Sequence, residues 1–210
     1  MRRYLLLFTA ILLGLHLESA AQVCKSYGLK VGATFANQYF RDPGNMANIR
    51  RIPGFTAAIL AEWLNTPHFS LITQLELTQR GNITDLRTTE GFQSWRIVYE
   101  GLHNHLHYLS VPILTKWTIL AKPIVPYLLV GPRVDYLLWY SSDIGYLDGA
   151  YKEFKKTMLG GSAGIGWNIA SVSPFAITAE LRYNFDFINS SGPYNNVRND
   201  AFDIWLGYAF

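Results

Sequence analysis

The sequence predicts an all-β chain, an eight-stranded antiparallel transmembrane β-barrel with short periplasmic turns and long extracellular loops. Three observations lead there. Eight segments alternate apolar and polar residues with period two, which is strand and not helix patterning. Beyond the first 21 residues no apolar run is long enough for a spanning helix, so a membrane could be crossed only by a closed barrel. The connectors between the eight segments alternate between short and long, as in outer-membrane barrels.

The N-terminal stretch "MRRYLLLFTAILLGLHLESAAQ" stands apart. Arg2 and Arg3 precede an apolar run from Leu5 to Leu17, and Ser19-Ala20-Ala21 supplies small residues for cleavage. Residues 1–21 therefore read as a secretory signal peptide and residues 22–210 as the barrel domain. An uncleaved anchor and lipid attachment at Cys24 are the competing readings, the second weakened by Gln22 and Val23 before the cysteine. A lone cysteine forms no internal disulfide and no cysteine-based metal centre.

Composition points the same way. The formal net charge is only +3, and losing Arg2, Arg3 and Glu18 lowers it by one, so nothing favours nucleic acid as a partner. Thirteen tyrosines, twelve phenylalanines and six tryptophans are many for so small a domain, and amphipathic rings gather at membrane–water boundaries.

The eight segments follow in order. "YGLKVGATFA" sets Leu29, Val31 and Phe35 against Lys30, Gly32 and Thr34. "FTAAILAEWL" puts Phe55, Ile59 and Trp63 opposite Thr56, Leu60 and Glu62. "SLITQLELTQR" gives Leu71, Leu75 and Leu77 one face and Gln74 and Glu76 the other. In "HYLSVPILTKW", Leu109, Val111, Ile113 and Trp117 share a side, with Tyr108, Pro112 and Lys116 behind. "PYLLVGPRVDYLL" opposes Val130 and Val134 to Arg133 and Asp135, and "MLGGSAGIGWNIA" opposes Leu159 and Ile165 to a row of small residues. "PFAITAELRYNFDF" presents Ile177, Leu181, Tyr183 and Phe185 on one side and Glu180, Arg182 and Asp186 on the other. "AFDIWLGYAF" ends the chain with Phe202, Ile204, Leu206, Tyr208 and Phe210 in line and Asp203 behind. Residues 80–104 either lengthen the third and fourth strands or form an extra hairpin.

The polar faces carry Lys30, Glu62, Glu76, Lys116, Arg133, Asp135, Glu180, Arg182 and Asp186. An eight-stranded barrel leaves an interior just wide enough for side chains or one small ligand, and unpaired buried charge is costly. These nine residues are therefore expected to form a paired charge network filling the lumen. Lys116 should meet a lumen carboxylate, Glu76 being the first choice. Pro112 lacks an N–H, so a bulge or local register break is expected around it. Tyr39, Phe40, Trp139, Tyr140, Tyr146, Tyr151 and Tyr194 fall in long connectors, as aromatic contacts for a partner or as rim anchors.

Other features carry less chemistry. "GGSAGIG" lacks the lysine and strand-to-helix context of a phosphate loop, and its glycines fit a tightly curved sheet. His103, His105 and His107 share a strand face on the apolar side, where they could ligate metal, touch lipid phosphates or mark the edge of the apolar band. No spacing brings a serine to a histidine as a hydrolase would need, so no catalysis, catalytic residue, metal or cofactor is expected.

"YLSVPILTKW", "KPIVPYLLVGPRVDYLL" and "LGGSAGIGWNI" resemble the PorT-like outer-membrane β-barrel proteins of Bacteroidota. The family's Tyr-Leu-x-Ile-Pro-Leu-Leu-x-Lys strand is matched from Tyr108 to Lys116, and its Pro-Tyr-x-x-x-Gly-Pro strand from Pro126 to Pro132. The resemblance implies a cell outer membrane location in a Gram-negative bacterium and a secretion-system accessory role for its named member. The closing Phe210 resembles the terminal aromatic recognised by the barrel assembly machinery. Expected partners are outer-membrane lipid, that machinery during biogenesis, and a protein or glycan at the extracellular loops. The reading is a structural or accessory barrel; a narrow channel or small-ligand carrier, and a soluble barrel holding an apolar ligand, are the alternatives.

Overall fold

A computed structural model describes residues 24–40, 47–64, 66–90, 94–119, 124–143, 154–172, 175–189 and 197–210. The leader at 1–21 and the aromatics Tyr146, Tyr151 and Tyr194 lie outside the described residues. None of the described residues forms a helix long and apolar enough to cross a membrane.

The described residues form nine strands: β1 (Cys24–Phe40), β2 (Ala47–Arg50), β3 (Ile52–Trp63), β4 (Phe69–Glu90), β5 (Ser94–Thr118), β6 (Val125–Ser142), β7 (Thr157–Val172), β8 (Phe175–Asp186) and β9 (Val197–Ala209). They lie in one sheet in the order β2-β4-β3-β1-β9-β8-β7-β6-β5, and β4 pairs also with β5, which makes the sheet barrel-like. Every pairing is antiparallel. The eight sequence segments fall on the eight long strands. The ninth, β2, lies in what reads as a loop: its four residues pair with Ile83–Leu86. It escapes a pattern search because four residues hold too little alternation.

Residues 80–90 extend β4 and residues 94–104 belong to β5, paired antiparallel with each other, so both stretches are strand. Register shifts around Leu86 bend the pair, and Gly101 (φ 69°) takes the left-handed backbone that a side chain disfavours. Its N–H donates to Asp85 Oδ1 at 2.8 Å, and Arg50 of β2 donates to the same oxygen at 2.9 Å.

Pro112 is accommodated differently from the expectation. Pairing with β4 lapses opposite Gln74 and Leu75 and resumes at Ser110 in unchanged register. The register shift in β5 lies instead between His107 and Tyr108, against β6. A missing donor removes a hydrogen bond without requiring an extra residue, so the strand keeps its phase.

The inside–outside sense is inverted relative to a water-soluble domain. Leu29, Val31, Phe55, Ile59, Val130, Leu181, Ile204 and Leu206 point outward and are exposed, while Lys30, Glu76, Arg133, Glu180 and Arg182 are buried. The interior is layered. One apolar cluster (Leu60, Ile72, Leu114, Tyr127, Leu129) lies toward the short β3–β4 and β5–β6 connectors. Two others lie toward the opposite end: Leu106, Tyr108, Leu137 and Met158, and Ala36, Ile52 and Ala201.

Candidate functional site

Strand alternation places the nine interior charges, and all nine are buried. They gather in three groups along the barrel. In the first, β8 aims Glu180 and Arg182 inward from alternate positions, where Lys30 of β1 and Glu76 of β4 meet them. Lys30 pairs with Glu180 and Arg182 with Glu76. Arg182 also donates to Glu180 Oε2 at 2.9 Å and to Gln74 Oε1 at 3.0 Å. Tyr127 closes the group by donating its hydroxyl to Glu180 Oε1 at 2.8 Å.

The room for Tyr127 comes from a glycine. A Cβ on Gly166 would stand 2.3 Å from Tyr127 Cζ, so the ring can lie across β7 only because that position is bare. Below the guanidinium of Arg182, the Trp205 ring lies with its centroid 5.2 Å away, a cation–π contact in a dry setting.

The second group is centred on Asp135. Its Oδ2 accepts from Arg80 Nη1 at 2.7 Å and from Arg133 Nε at 2.8 Å, while Arg133 Nη2 donates to Asp186 Oδ1 at 3.0 Å. Asn199 caps Asp186 with its side-chain amide at 2.8 Å and its backbone N–H at 3.1 Å. Charge-assisted bonds of this kind are about twice as strong as neutral ones, and several per ion are needed to offset desolvation.

The third group sits at the short-turn end. Glu62 accepts from Lys116 at 3.1 Å, from Lys25 at 3.0 Å and from Ser70 at 2.7 Å. The expected meeting of Lys116 with Glu76 is therefore corrected to Glu62. Across β4–β5, Lys116 stands opposite Ser70 whereas Glu76 stands opposite Ser110, six residues along the strand. That separation is about 20 Å, beyond any lysine's reach.

Buried Arg80, Asp203, Asp85 and Asp200, and the exposed Lys25, are charged partners outside the predicted nine. Arg80 continues the inward parity of Gln74, Glu76 and Thr78 as the last residue of the third alternating segment, where residues 80–104 begin. Asp203 lies on the polar face of β9 opposite Arg182 and accepts from Asn184 at 2.5 Å. Lys25 precedes the first alternating segment. The parity signal was present for Arg80 and Asp203.

The aromatic contacts fare unevenly. Tyr39 ends β1 exposed, and Phe40 is that strand's last residue. Trp139 and Tyr140 belong to β6 and not to a loop. Trp139 is exposed and stacks on His107 with centroids 4.3 Å apart, whereas Tyr140 turns inward against the Leu106–Met158 cluster. Among the described residues no group of three histidine, cysteine, aspartate or glutamate side chains is placed to hold a metal ion.

An apolar exterior around a charged interior is the solution a β-chain adopts in lipid. Residues 21–192 match the family described as outer membrane protein beta-barrel domain. The chain belongs to that family. It is a transmembrane protein of the outer membrane of a Gram-negative bacterium. The outer membrane protein OprG from Pseudomonas aeruginosa shares the fold with a TM-score of 0.51 at 11% identity, over 90% of this chain and 97% of that one. Neisserial surface protein A aligns at a TM-score of 0.48 and 16% identity, over 86% and 95% of the two chains. Ail, the attachment invasion locus protein of Yersinia pestis, aligns at 0.44 and 16%, over 88% and 98%. No curated protein matches the chain.

Proposed function

We propose that the eight long strands close into an eight-stranded transmembrane barrel whose interior is a fixed charge plug, making this a structural or accessory outer-membrane protein without catalysis. Residues 1–21 are its cleaved signal peptide, the tight turns face the periplasm and the long loops face outward. Work on partners then falls to the outer end, where Tyr39, Phe40, Trp139, Tyr146, Tyr151 and Tyr194 offer aromatic contact area to a protein or a glycan. The motifs at Tyr108–Lys116 and Pro126–Pro132 support a PorT-like place within the family, and with it a secretion-accessory role.

The observation that carries the plug is the layering: the central ion pairs lie between apolar clusters on both sides. A second reading, a narrow polar conduit, is favoured by Arg80 Nε, Arg133 Nη1, Arg182 Nε and Asp135 Oδ1, buried atoms that find no partner among the described residues. Single-channel recording in a planar bilayer separates the two. Silence from inserted, folded wild type and from R133A supports the plug. Discrete openings whose size changes in R133A would sink it and make Arg133 part of a conduction path.

A further inference from the structure

The outward face of β5 changes character abruptly. Trp117, Ile113 and Val111 are exposed apolar residues, Leu109 follows, and then His107, His105 and His103 replace them on the same side. From Trp117 to Leu109 is about 27 Å of strand, or about 20 Å of height at the usual tilt, close to the apolar band of a small barrel. His107 is therefore the first residue beyond the hydrocarbon. Its neighbours mark the same level: Trp139 stacks on it at 4.3 Å, and Phe55 stands 6.4 Å away on its other side. Aromatic side chains with a polar edge gather where acyl chains meet headgroups.

The other two rings continue into the headgroup layer. His103 and His105 stack with centroids 6.1 Å apart and planes 10° from parallel. Each is held through Nδ1: His103 by Asp143 Oδ2 at 3.3 Å, His105 by the Gln79 side-chain amide at 2.8 Å. Neither hydrogen bond engages Nε2 of these rings. Gln79 can offer its NH₂ to a neutral ring or, turned over, its carbonyl to a protonated one, so the anchor survives a change of charge. The pairing registers show what else faces the ladder. β4 presents Gln79, Gly81 and Ile83, and β6 presents Trp139 and Ser141. Asp143, one residue past β6, is the charged group hydrogen-bonded to this ladder among the described residues.

We propose that His103, His105 and His107 form a site for the phosphate of an outer-leaflet lipid headgroup, engaged when the imidazoles are protonated. The chemistry is that of aligned N–H donors with positive charge meeting a phosphate monoester, at the depth where such groups lie. It rests on the transmembrane reading with the long loops outward.

The test uses the full barrel refolded into phosphatidylcholine bilayers, with spin-labelled phosphatidic acid or phosphatidylcholine as probe. Selectivity is read at about pH 4.5 and about pH 8, because partial burial and the neighbouring imidazole hold His105 and His107 below the ~6.5 of a free imidazole. The expected result is roughly fivefold preference for phosphatidic acid at the lower pH, the size one surface cation confers. It should fall toward unity at the higher pH, although the lipid itself gains negative charge. The H103Q/H105Q/H107Q variant should lose the pH-dependent part. Preference that survives in that variant, or that ignores pH, would overturn the site. A spin label at position 109 that meets aqueous relaxant instead of dissolved oxygen would overturn the transmembrane reading itself. Lipid contact at 109 with no pH-dependent preference would overturn phosphate binding alone.

Discussion

Two ion-pair groups in the same barrel are built on different principles. In the central group, Arg182 reaches Glu76, Glu180 and Gln74 at once, Glu180 having Lys30 and Tyr127 besides, and the guanidinium is sealed from solvent (0% exposed). At the short-turn end the relation is reversed: one carboxylate, Glu62, is served by Lys116, Lys25 and Ser70, and the Lys25 side chain is 36% exposed. The centre concentrates its dependence on a single side chain, whereas the end spreads it over several with water nearby. Depth and redundancy, more than the count of ion pairs, set what each group contributes.

The comparison breaks most visibly at Arg182. R182A leaves Glu76 and Glu180 buried with fewer partners, and removing one member of a buried pair costs about 3–5 kcal/mol. Urea unfolding in detergent micelles should show that loss, and a change below about 1 kcal/mol would mean the centre is hydrated. G166A is next. Its new methyl collides with the Tyr127 ring, an overpacking cost of about 1–3 kcal/mol that should displace the ring from Glu180. The smaller Y127L side chain in that background should recover part of the loss.

K25A sharpens the other side. Glu62 keeps Lys116 and Ser70, and an exposed ion pair contributes about 0–1 kcal/mol, so the unfolding midpoint should scarcely move. The smallest effect is expected outside the barrel wall, at Asp143. The backbone N–H of His103 donates to it at 2.8 Å and holds its carboxyl below the usual carboxylate range. A lowered native pKa means the tether is intact above the ordinary value, about 3.9, and is released only as pH falls through the lowered one. Amide exchange at His103 should therefore stay slow at mildly acidic pH and become fast in D143A without a change in the unfolding midpoint.

Much of the architecture was legible along the chain. Whether a residue faces in or out depends on its own parity, a local property, so Lys30, Glu180, Arg182 and Asp186 could be assigned to the interior from their strands alone. The four-residue β2 was not legible, and neither was the lapse in pairing at Pro112 with its register kept. Nor was the inward turn of Tyr140, because the register shift at His107/Tyr108 lies between two strands and leaves no mark in either pattern.

The amino-acid sequence by itself determined the strand period and which residues share an apolar or a charged face, because side chains alternate across a strand. Only the tertiary structure decided who meets whom. Arg182 finds Glu76 across 106 positions of sequence, and Lys116 passes over Glu76 for Glu62. Those choices follow from the stagger between tilted strands and from the curvature that brings distant strands face to face, and neither is encoded in any one segment.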